Sequence, residues 1–288
     1  MFGLAVLGRW ELDPVVLVSV AAAGVAYREG CRRSRPPVPP VRRGAFVAGL
    51  AAVFAALCSP VASYADELLS VHMVQHLLLT LLAAPLLVAG RPLAVVGAIL
   101  DHSRRRQLLR LRRSAFVAVA GHPLFAWLAF AAVGWVAHFS PLYDLALRHA
   151  WAHALEHALF LGSALLFWRA VLGAAARWRL SHPLRLLYLA VGMPQMTFLA
   201  LAIYSSRRPL YRHYTEVARH HGGSALADQR LAGGLMWIVG DLTLLGGVLF
   251  VAAAWAAHEQ RVTARREHLE DLAAARQPAA VADGTVAT

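Results

Sequence analysis

Long apolar blocks separated by short arginine-rich segments are the feature that most constrains this 288-residue chain. About twenty apolar residues, folded as an α-helix at 1.5 Å per residue, match the ~30 Å hydrocarbon thickness of a bilayer. Seven such blocks can be read, at residues 12–28, 43–60, 70–90, 115–138, 150–172, 184–204 and 231–256. The pattern predicts an all-α, polytopic membrane helix bundle of about seven transmembrane helices.

The distribution of charge supports the same interpretation. Charged residues make up 15% of the chain, whereas soluble domains carry about 25%. A net charge of +12 would suit nucleic acid, but the arginines lie between the apolar blocks, as in the cytoplasmic loops of membrane proteins. We therefore expect contact with the lipid bilayer and none with nucleic acid.

The arginines also predict the orientation of the bundle. With the N-terminus outside, 21 of the 28 arginines fall on the inner side and seven on the outer side, as the positive-inside rule requires. We expect a multi-pass protein of the bacterial inner membrane with a cytoplasmic C-terminus. Residues 1–256 would form the seven-helix domain, and 257–288 a tail that is helical to Leu272 and then disordered. The basic outer loop 205–230 is the exception to the rule.

Histidines at helical spacing mark the predicted site. His72 and His76 open the third block, and His153 and His157 open the fifth, so each pair shares one helix face. Imidazoles at positions i and i+4 are a common way for a helix to offer two nitrogens to one metal. The four rings predict a metal site near the outer end of the bundle, open to the periplasm. The alternative is that they are hydrated or bond neighbouring helices. His149, on the same stripe, is expected to be solvated.

Four further residues are additional candidates for this site. His138 closes the fourth block, where it would serve as a ligand or as an ordinary helix end, and Met73 adjoins the first pair. Asp241 lies inside the last block, where ionisable residues are usually functional. Asp228 can cap the start of that block. Met193, Met196 and Cys58 are expected to be packing residues.

Four segments of the chain, in this order, resemble the CtaG family of bacterial cytochrome c oxidase assembly proteins, in its multi-spanning form. The first is His72-Met-Val-Gln-His76 followed by LLLTLLAAPLLVAGRPL, and the second is His153-Ala-Leu-Glu-His157 followed by ALFLGSALLFW. The others are PLYRHY around Tyr211 and DQRLAGGLMW from Asp228. Together they cover about residues 70–240, most of the membrane domain.

The resemblance implies a non-enzymatic role in the maturation of a haem–copper oxidase, with copper held and delivered to an outward-facing centre. It implies His72, His76, His153 and His157 as copper ligands, with Asp228 as a partner. Subunits of the oxidase would be binding partners, and a periplasmic copper chaperone would be another. The chain has no cysteine pair and no methionine-rich tail, which argues against a high-affinity Cu(I) buffer.

Two other functions are compatible with the sequence. A transporter of copper or another solute would use Asp241 and the proline-interrupted sixth block as a permeation path. A bis-histidine membrane cytochrome b would use the histidine pairs as axial haem ligands. The spacing of four residues near one surface argues against stacked haems, which need ligands about a dozen residues apart on a helix.

Overall fold

The computed structural model describes residues 9–173, 178–217 and 224–276. Every regular element in these ranges is helical, and none of these residues lies in a β-strand. Six helices are long and apolar enough to cross a membrane. These observations confirm the all-α membrane fold, whereas the count of seven spans and the orientation of the termini stay predictions.

The elements follow the order of the predicted blocks. The longer helices are α1 (Pro14–Arg33), α2 (Pro40–Cys58), α7 (His102–Arg113), α9 (Pro123–Phe139), α11 (Ala150–Leu172), α12 (His182–Tyr204) and α14 (Ala225–Arg276). The shorter helices are α3 (Pro60–Ala65), α4 (Leu69–Leu77), α5 (Ala84–Ala89), α6 (Pro92–Val96), α8 (Ala115–Ala120), α10 (Leu142–Arg148) and α13 (Arg212–Glu216). A π-helical segment, Leu78–Ala83, joins α4 to α5 within the span Leu69–Val96.

The predicted fourth span, 115–138, does not form one helix. A turn at Gly121 separates α8 from α9, and Pro123 begins the second helix. Proline fixes its own backbone for a helix start and disfavours the α conformation in the residue before it, so the break falls at His122. The remaining apolar helix, α9, has 17 residues, fewer than the other spans.

Capping side chains and backbone turns mark several of the other helix boundaries. Asp13 accepts hydrogen bonds from the backbone N–H groups of Val15 and Val16 at the start of α1. Ser59 ends α2 and caps α3, accepting from Val61 N at 3.1 Å. Arg91 adopts a left-handed conformation with φ 51°, directly before α6. One helix therefore ends and the next begins at Ser59-Pro60 and at Gly90-Arg91-Pro92, as expected of proline at a helix start.

Apolar side chains pack into two clusters. One joins α1 and α2 to the middle of the Leu69–Val96 span, with Tyr27 and Phe46 at its centre. The other joins this span to α11, α12 and α14. The backbones of α12 and α14 approach closely at Gly233, where an added Cβ would lie 2.9 Å from Tyr204 N, as small residues permit between membrane helices.

The last helix continues past the predicted boundary at residue 256. It runs unbroken for 52 residues to Arg276, about 78 Å at 1.5 Å per residue, which exceeds the ~30 Å hydrocarbon thickness. Residues 256–273 are exposed except for Val262, as expected for a tail outside the bilayer. Residues 277–288, predicted to be disordered, lie outside the described residues.

Candidate metal centre

The four predicted histidines converge between α4 and the first turns of α11. Ring centroids lie 4.4 Å apart for His72–His76 and 4.2 Å apart for His153–His157. Across the two helices, the His72–His153 centroids are 5.4 Å apart and the His76–His157 centroids 6.0 Å apart. The i, i+4 spacing therefore brings the rings of both pairs next to one another, although only His72 and His76 of the four belong to a group of ligand atoms within 4.8 Å of one another.

Glu156 joins these histidines, and the sequence analysis did not select it. Its carboxylate oxygens lie 3.7 Å from His72 Nε2 and 3.9 Å from His76 Nε2. The three side chains offer ligand atoms that all lie within 4.8 Å of one another. Residues 153, 156 and 157 share one helix face. The rule that a buried carboxylate in a span is functional, applied here to Asp241, would have found Glu156 as well. We call these five residues the histidine–glutamate cluster.

Most polar atoms of the cluster are buried without a hydrogen-bond partner among the described residues. These atoms are His72 Nδ1, His76 Nδ1, His153 Nε2, His157 Nε2 and both Glu156 oxygens. His72 Nε2 and His76 Nε2 face each other at 3.0 Å, so at most one hydrogen lies between them. Buried polar atoms are nearly always partnered, and a group left without partners indicates an ion or water. Imidazole nitrogen and carboxylate oxygen are both transition-metal ligands, so the donor set fits a metal.

The side chain of Asp228, a residue of α14, contacts the start of α4, the helix that carries His72. Its carboxylate accepts hydrogen bonds from Leu69 N at 2.8 Å and from Ser70 Oγ at 2.5 Å. Leu68, which precedes the helix, provides no side-chain cap. Asp228 thus caps α4 from 159 residues away, and not its own helix as predicted, and both its oxygens are occupied. It positions the cluster from outside.

The other end of α4 leads into the π-helical segment, and hydrogen bonds hold it there. Thr80, in the π-helical segment, donates to the carbonyl of His76 at 2.7 Å. Its own carbonyl accepts from Trp168 Nε1 of α11 at 2.9 Å. Gln75 donates to Ala56 O of α2 at 2.9 Å. Single π-turns are frequent at functional sites, but residue spacing alone does not predict them.

Three buried tyrosines lie beside the cluster, with Tyr143 against His72 and the other two packed behind it. Tyr143, Tyr211 and Tyr214 are 1–4% exposed, and the Tyr143 ring lies 5.3 Å from that of His72. Burial raises the pKa of the Tyr143 and Tyr214 phenols well above the ordinary value, so both keep their protons. His72 is fully buried beside Tyr143, so the first pair is not open to water as expected, while the side of the membrane that it faces stays a prediction.

The loop that carries two of these tyrosines is anchored by Gln229. This buried side chain accepts from Leu210 N at 2.7 Å and donates to Ile203 O at 3.1 Å. Tyr214 in turn donates to Ala65 O at 2.8 Å. The four segments that carry the resemblance therefore meet here, two supplying the cluster and two supplying its cap and cover.

His138 and Met73, two of the additional candidates, lie beside the cluster. His138 is buried at the end of α9, with its ring 6.0 Å from that of His76. Its Nδ1 lies 2.7 Å from Gly134 O, and its Nε2 lies 3.4 Å from Met73 Sδ. A cavity of about 30 Å³ adjoins both residues and His76.

Asp241 lies apart from the group of His72, His76 and Glu156. Its Oδ2 accepts from Thr197 Oγ1 at 2.7 Å, a bond between α14 and α12, while Oδ1 is buried without a partner among the described residues. His149 is exposed at the start of α11, as expected. A larger cavity, about 220 Å³ between α9, α10 and α11, includes Glu156 in its otherwise mostly apolar wall.

Comparison with protein families gives one match that covers most of the chain. The model described as "Cytochrome c oxidase caa3 assembly factor (Caa3_CtaG)" matches residues 24–258. This range includes the histidine–glutamate cluster, Asp228 and the three tyrosines that cover the site.

Curated relatives are found in mycobacteria. The chain is 28% identical over 278 residues to an uncharacterized protein of Mycobacterium bovis and to one of Mycobacterium tuberculosis. It is 26% identical over 274 residues to an uncharacterized protein of Mycobacterium leprae. These alignments cover 91–92% of this chain but 42% of each relative, so the chain spans less than half the length of those proteins. No solved structure matches the chain.

Proposed function

The chain belongs to the cytochrome c oxidase caa3 assembly factor family, and from that premise we propose that it holds copper in the histidine–glutamate cluster and passes it to the oxidase. The role is non-catalytic: the protein binds an ion, orients it and releases it. Haem–copper oxidases need copper inserted during assembly, so a membrane-embedded copper site suits a factor of this family.

The observation that carries the proposal is the set of buried polar atoms without partners. They are one nitrogen on each of the four histidines and both Glu156 oxygens, and three of these side chains, His72, His76 and Glu156, offer ligand atoms within 4.8 Å of one another. Leaving such atoms unpaired costs several kcal/mol in total, at about 1–3 kcal/mol per group. A bound cation would satisfy several of them at once, and the Glu156 carboxylate would balance part of its charge.

Delivery needs a partner, and we propose oxidase subunits in the same membrane, with a periplasmic copper chaperone as donor. In the outer segment 205–230, the side chains of Arg207, Arg208, Arg212 and Arg230 are exposed. This basic surface would dock an acidic face of the oxidase or anionic lipid headgroups. The proposed location is the bacterial inner membrane.

Metal analysis of the detergent-purified protein tests copper binding. The wild type should retain copper after dialysis, and His72→Ala/His76→Ala should lose it. The matched control is His102→Ala/His149→Ala, which also removes two histidines, both exposed, and should retain the wild-type amount. Equal copper in the two double variants would overturn the proposed site.

A deletion strain tests delivery. Without the protein, oxidase activity and the copper content of the isolated oxidase should fall, and added copper should restore part of both. Unchanged copper in the oxidase would refute delivery even if the purified protein bound the metal.

The two alternatives make different predictions. A transporter would carry copper into proteoliposomes, and the unpartnered Oδ1 of Asp241 is the observation in its favour. A cytochrome b would show a Soret band. The cavities beside the cluster, about 30 and 220 Å³, are smaller than the ~300–1,000 Å³ of drug-sized ligand pockets, which disfavours haem.

A further inference from the structure

The contact between His138 and Met73 joins two atoms that cannot form an ordinary hydrogen bond. His138 Nδ1 lies 2.7 Å from the carbonyl oxygen of Gly134. Because a carbonyl oxygen only accepts, Nδ1 must carry the hydrogen, and Nε2 of the neutral ring then presents a lone pair. That lone pair faces Met73 Sδ at 3.4 Å, and a thioether has no hydrogen to donate.

A protonated His138 is a poor explanation of this contact. The ring is 4% exposed, and an imidazolium there would face a thioether, which is a weak acceptor. Buried charges need strong partners to offset their desolvation. Two lone pairs that face each other in the interior are instead the arrangement expected around a cation.

We propose that Met73 Sδ and His138 Nε2 form a second site, selective for Cu(I), beside the histidine–glutamate cluster. Thioethers select Cu(I), while imidazole serves several metals. The adjoining cavity of about 30 Å³ has room for about one water-sized particle. Met196 and Met236 also lie in its wall and offer further thioethers.

The backbone near this cavity accommodates Met196. A Cβ added at Gly240 would lie 2.9 Å from Met196 Cγ, so the glycine gives that side chain its space. Met196 is 5% exposed and sits two residues after Pro194 within α12. The sequence predicts Met196 as a packing residue. We propose that its thioether is also a ligand of the second site.

The two sites are close enough to exchange one ion. Met73 follows His72 on α4, and the His138 and His76 rings are 6.0 Å apart. Moving Cu(I) from nitrogen and oxygen donors to the sulfur and nitrogen donors of the second site changes no oxidation state, so the transfer needs no redox partner. This inference rests on the proposed function for the identity of the ion, but its ligands are separate.

Cu(I) titration of the purified full-length protein, kept reduced with ascorbate, tests the second site. We expect two Cu(I) per chain in the wild type and one in Met73→Leu/Met196→Leu, a swap that nearly conserves volume. X-ray absorption should show sulfur next to copper in the wild type and none in this variant. Met193→Leu, a partly buried neighbour on α12, is the matched control and should behave as the wild type.

Zn(II) and a first-site variant separate the two proposals. Zn(II) should fill one site in both the wild type and the double methionine variant. His153→Ala/Glu156→Gln should lose one Cu(I) and keep the copper–sulfur signal. One Cu(I) with no sulfur neighbour in the wild type would overturn the second site and leave the proposed function standing. If copper binds next to sulfur and His153→Ala/Glu156→Gln loses no ion, the histidine–glutamate cluster is not a copper site. No bound copper would overturn both.

Discussion

The two histidine pairs have the same spacing in sequence but different surroundings in the fold. His72 and His76, on α4, are 0% and 4% exposed, whereas His153 and His157, at the start of α11, are only partly buried. Asp228 caps α4, but His149, which precedes α11, provides no side-chain cap. Spacing thus places ligands on a face, and the supports around the helix decide how rigidly they are held.

This difference assigns different tasks to the two pairs. The first is held at both ends of α4, by Asp228 and by the π-helical segment. The second pair lies at a helix start without a side-chain cap. It is next to Glu156, which lines the 220 Å³ cavity. We infer that α4 provides the fixed half of the metal centre and α11 the half through which the ion enters and leaves.

The largest predicted effect compares one histidine from each pair. His72→Ala should lower copper affinity by more than about 100-fold, because the buried position excludes water as a replacement ligand, whereas His153→Ala should cost about tenfold, the lower end of the range for supporting groups. Competition titration with a copper chelator would measure both.

The ratio of the affinity loss in His72→Ala to that in His153→Ala tests whether the two pairs have different roles. Dissociation rates give an independent readout, since removal of an adjustable ligand should accelerate release more than it weakens equilibrium binding. Equal affinity losses, or a larger loss at His153, would show that the pairs contribute alike and would remove the distinction.

The second prediction concerns Asp228, the residue of α14 that caps α4. Asp228→Asn removes a charge-assisted acceptor at the start of α4 and should destabilise the protein by about 0.5–2 kcal/mol. Copper affinity should fall about tenfold, because the first pair is no longer held. Thermal unfolding in detergent and copper titration measure the two effects.

Asp13→Ala is the control, since Asp13 caps α1, which carries no residue of the cluster. It should lower thermal stability and leave copper affinity unchanged. A loss of affinity in both variants would mean that any destabilised bundle releases copper, and Asp228 would then have no special role in positioning α4.

The membrane fold follows from the sequence because one physical rule dominates it. Apolar stretches matched to bilayer thickness must be helical, since no water is present to satisfy the backbone. The same rule fails at 115–138, where hydropathy is continuous but Pro123 starts a new helix. At the end of α14 hydropathy marks only the predicted bilayer boundary, and the helix continues to Arg276, close to the end predicted at Leu272.

The site is predictable where it depends on spacing and unpredictable where it depends on distant contacts. Residues 72, 76, 153 and 157 follow from the i, i+4 pattern. The cap from Asp228 to Leu69 and the cover by Tyr143 depend on how helices pack. Glu156 was missed although the sequence carried its signal, a carboxylate within an apolar span.

The third prediction concerns Asp241, the buried carboxylate that is separate from both pairs. Thr197→Val should cost about 0.6 kcal/mol, the average for a side-chain hydrogen bond between membrane helices, because the 2.7 Å bond to Asp241 is lost. Asp241→Asn should leave copper retention unchanged. Loss of copper in Asp241→Asn would assign this residue to the metal path and favour transport over delivery.

The smallest predicted effect is at His149, which completes the i, i+4 stripe of α11 with His153 and His157. The position is exposed at the helix start, where surface substitutions change stability by less than about 0.5 kcal/mol. His149→Ala should therefore leave copper affinity, copper release and thermal unfolding unchanged within error. His149 shares the spacing of the second pair but not its burial. This variant therefore tests whether spacing alone is enough for a histidine to bind copper. A tenfold loss of affinity would show that the stripe itself binds copper, and the contrast between the two pairs would then reflect their number of ligands and not how they are held.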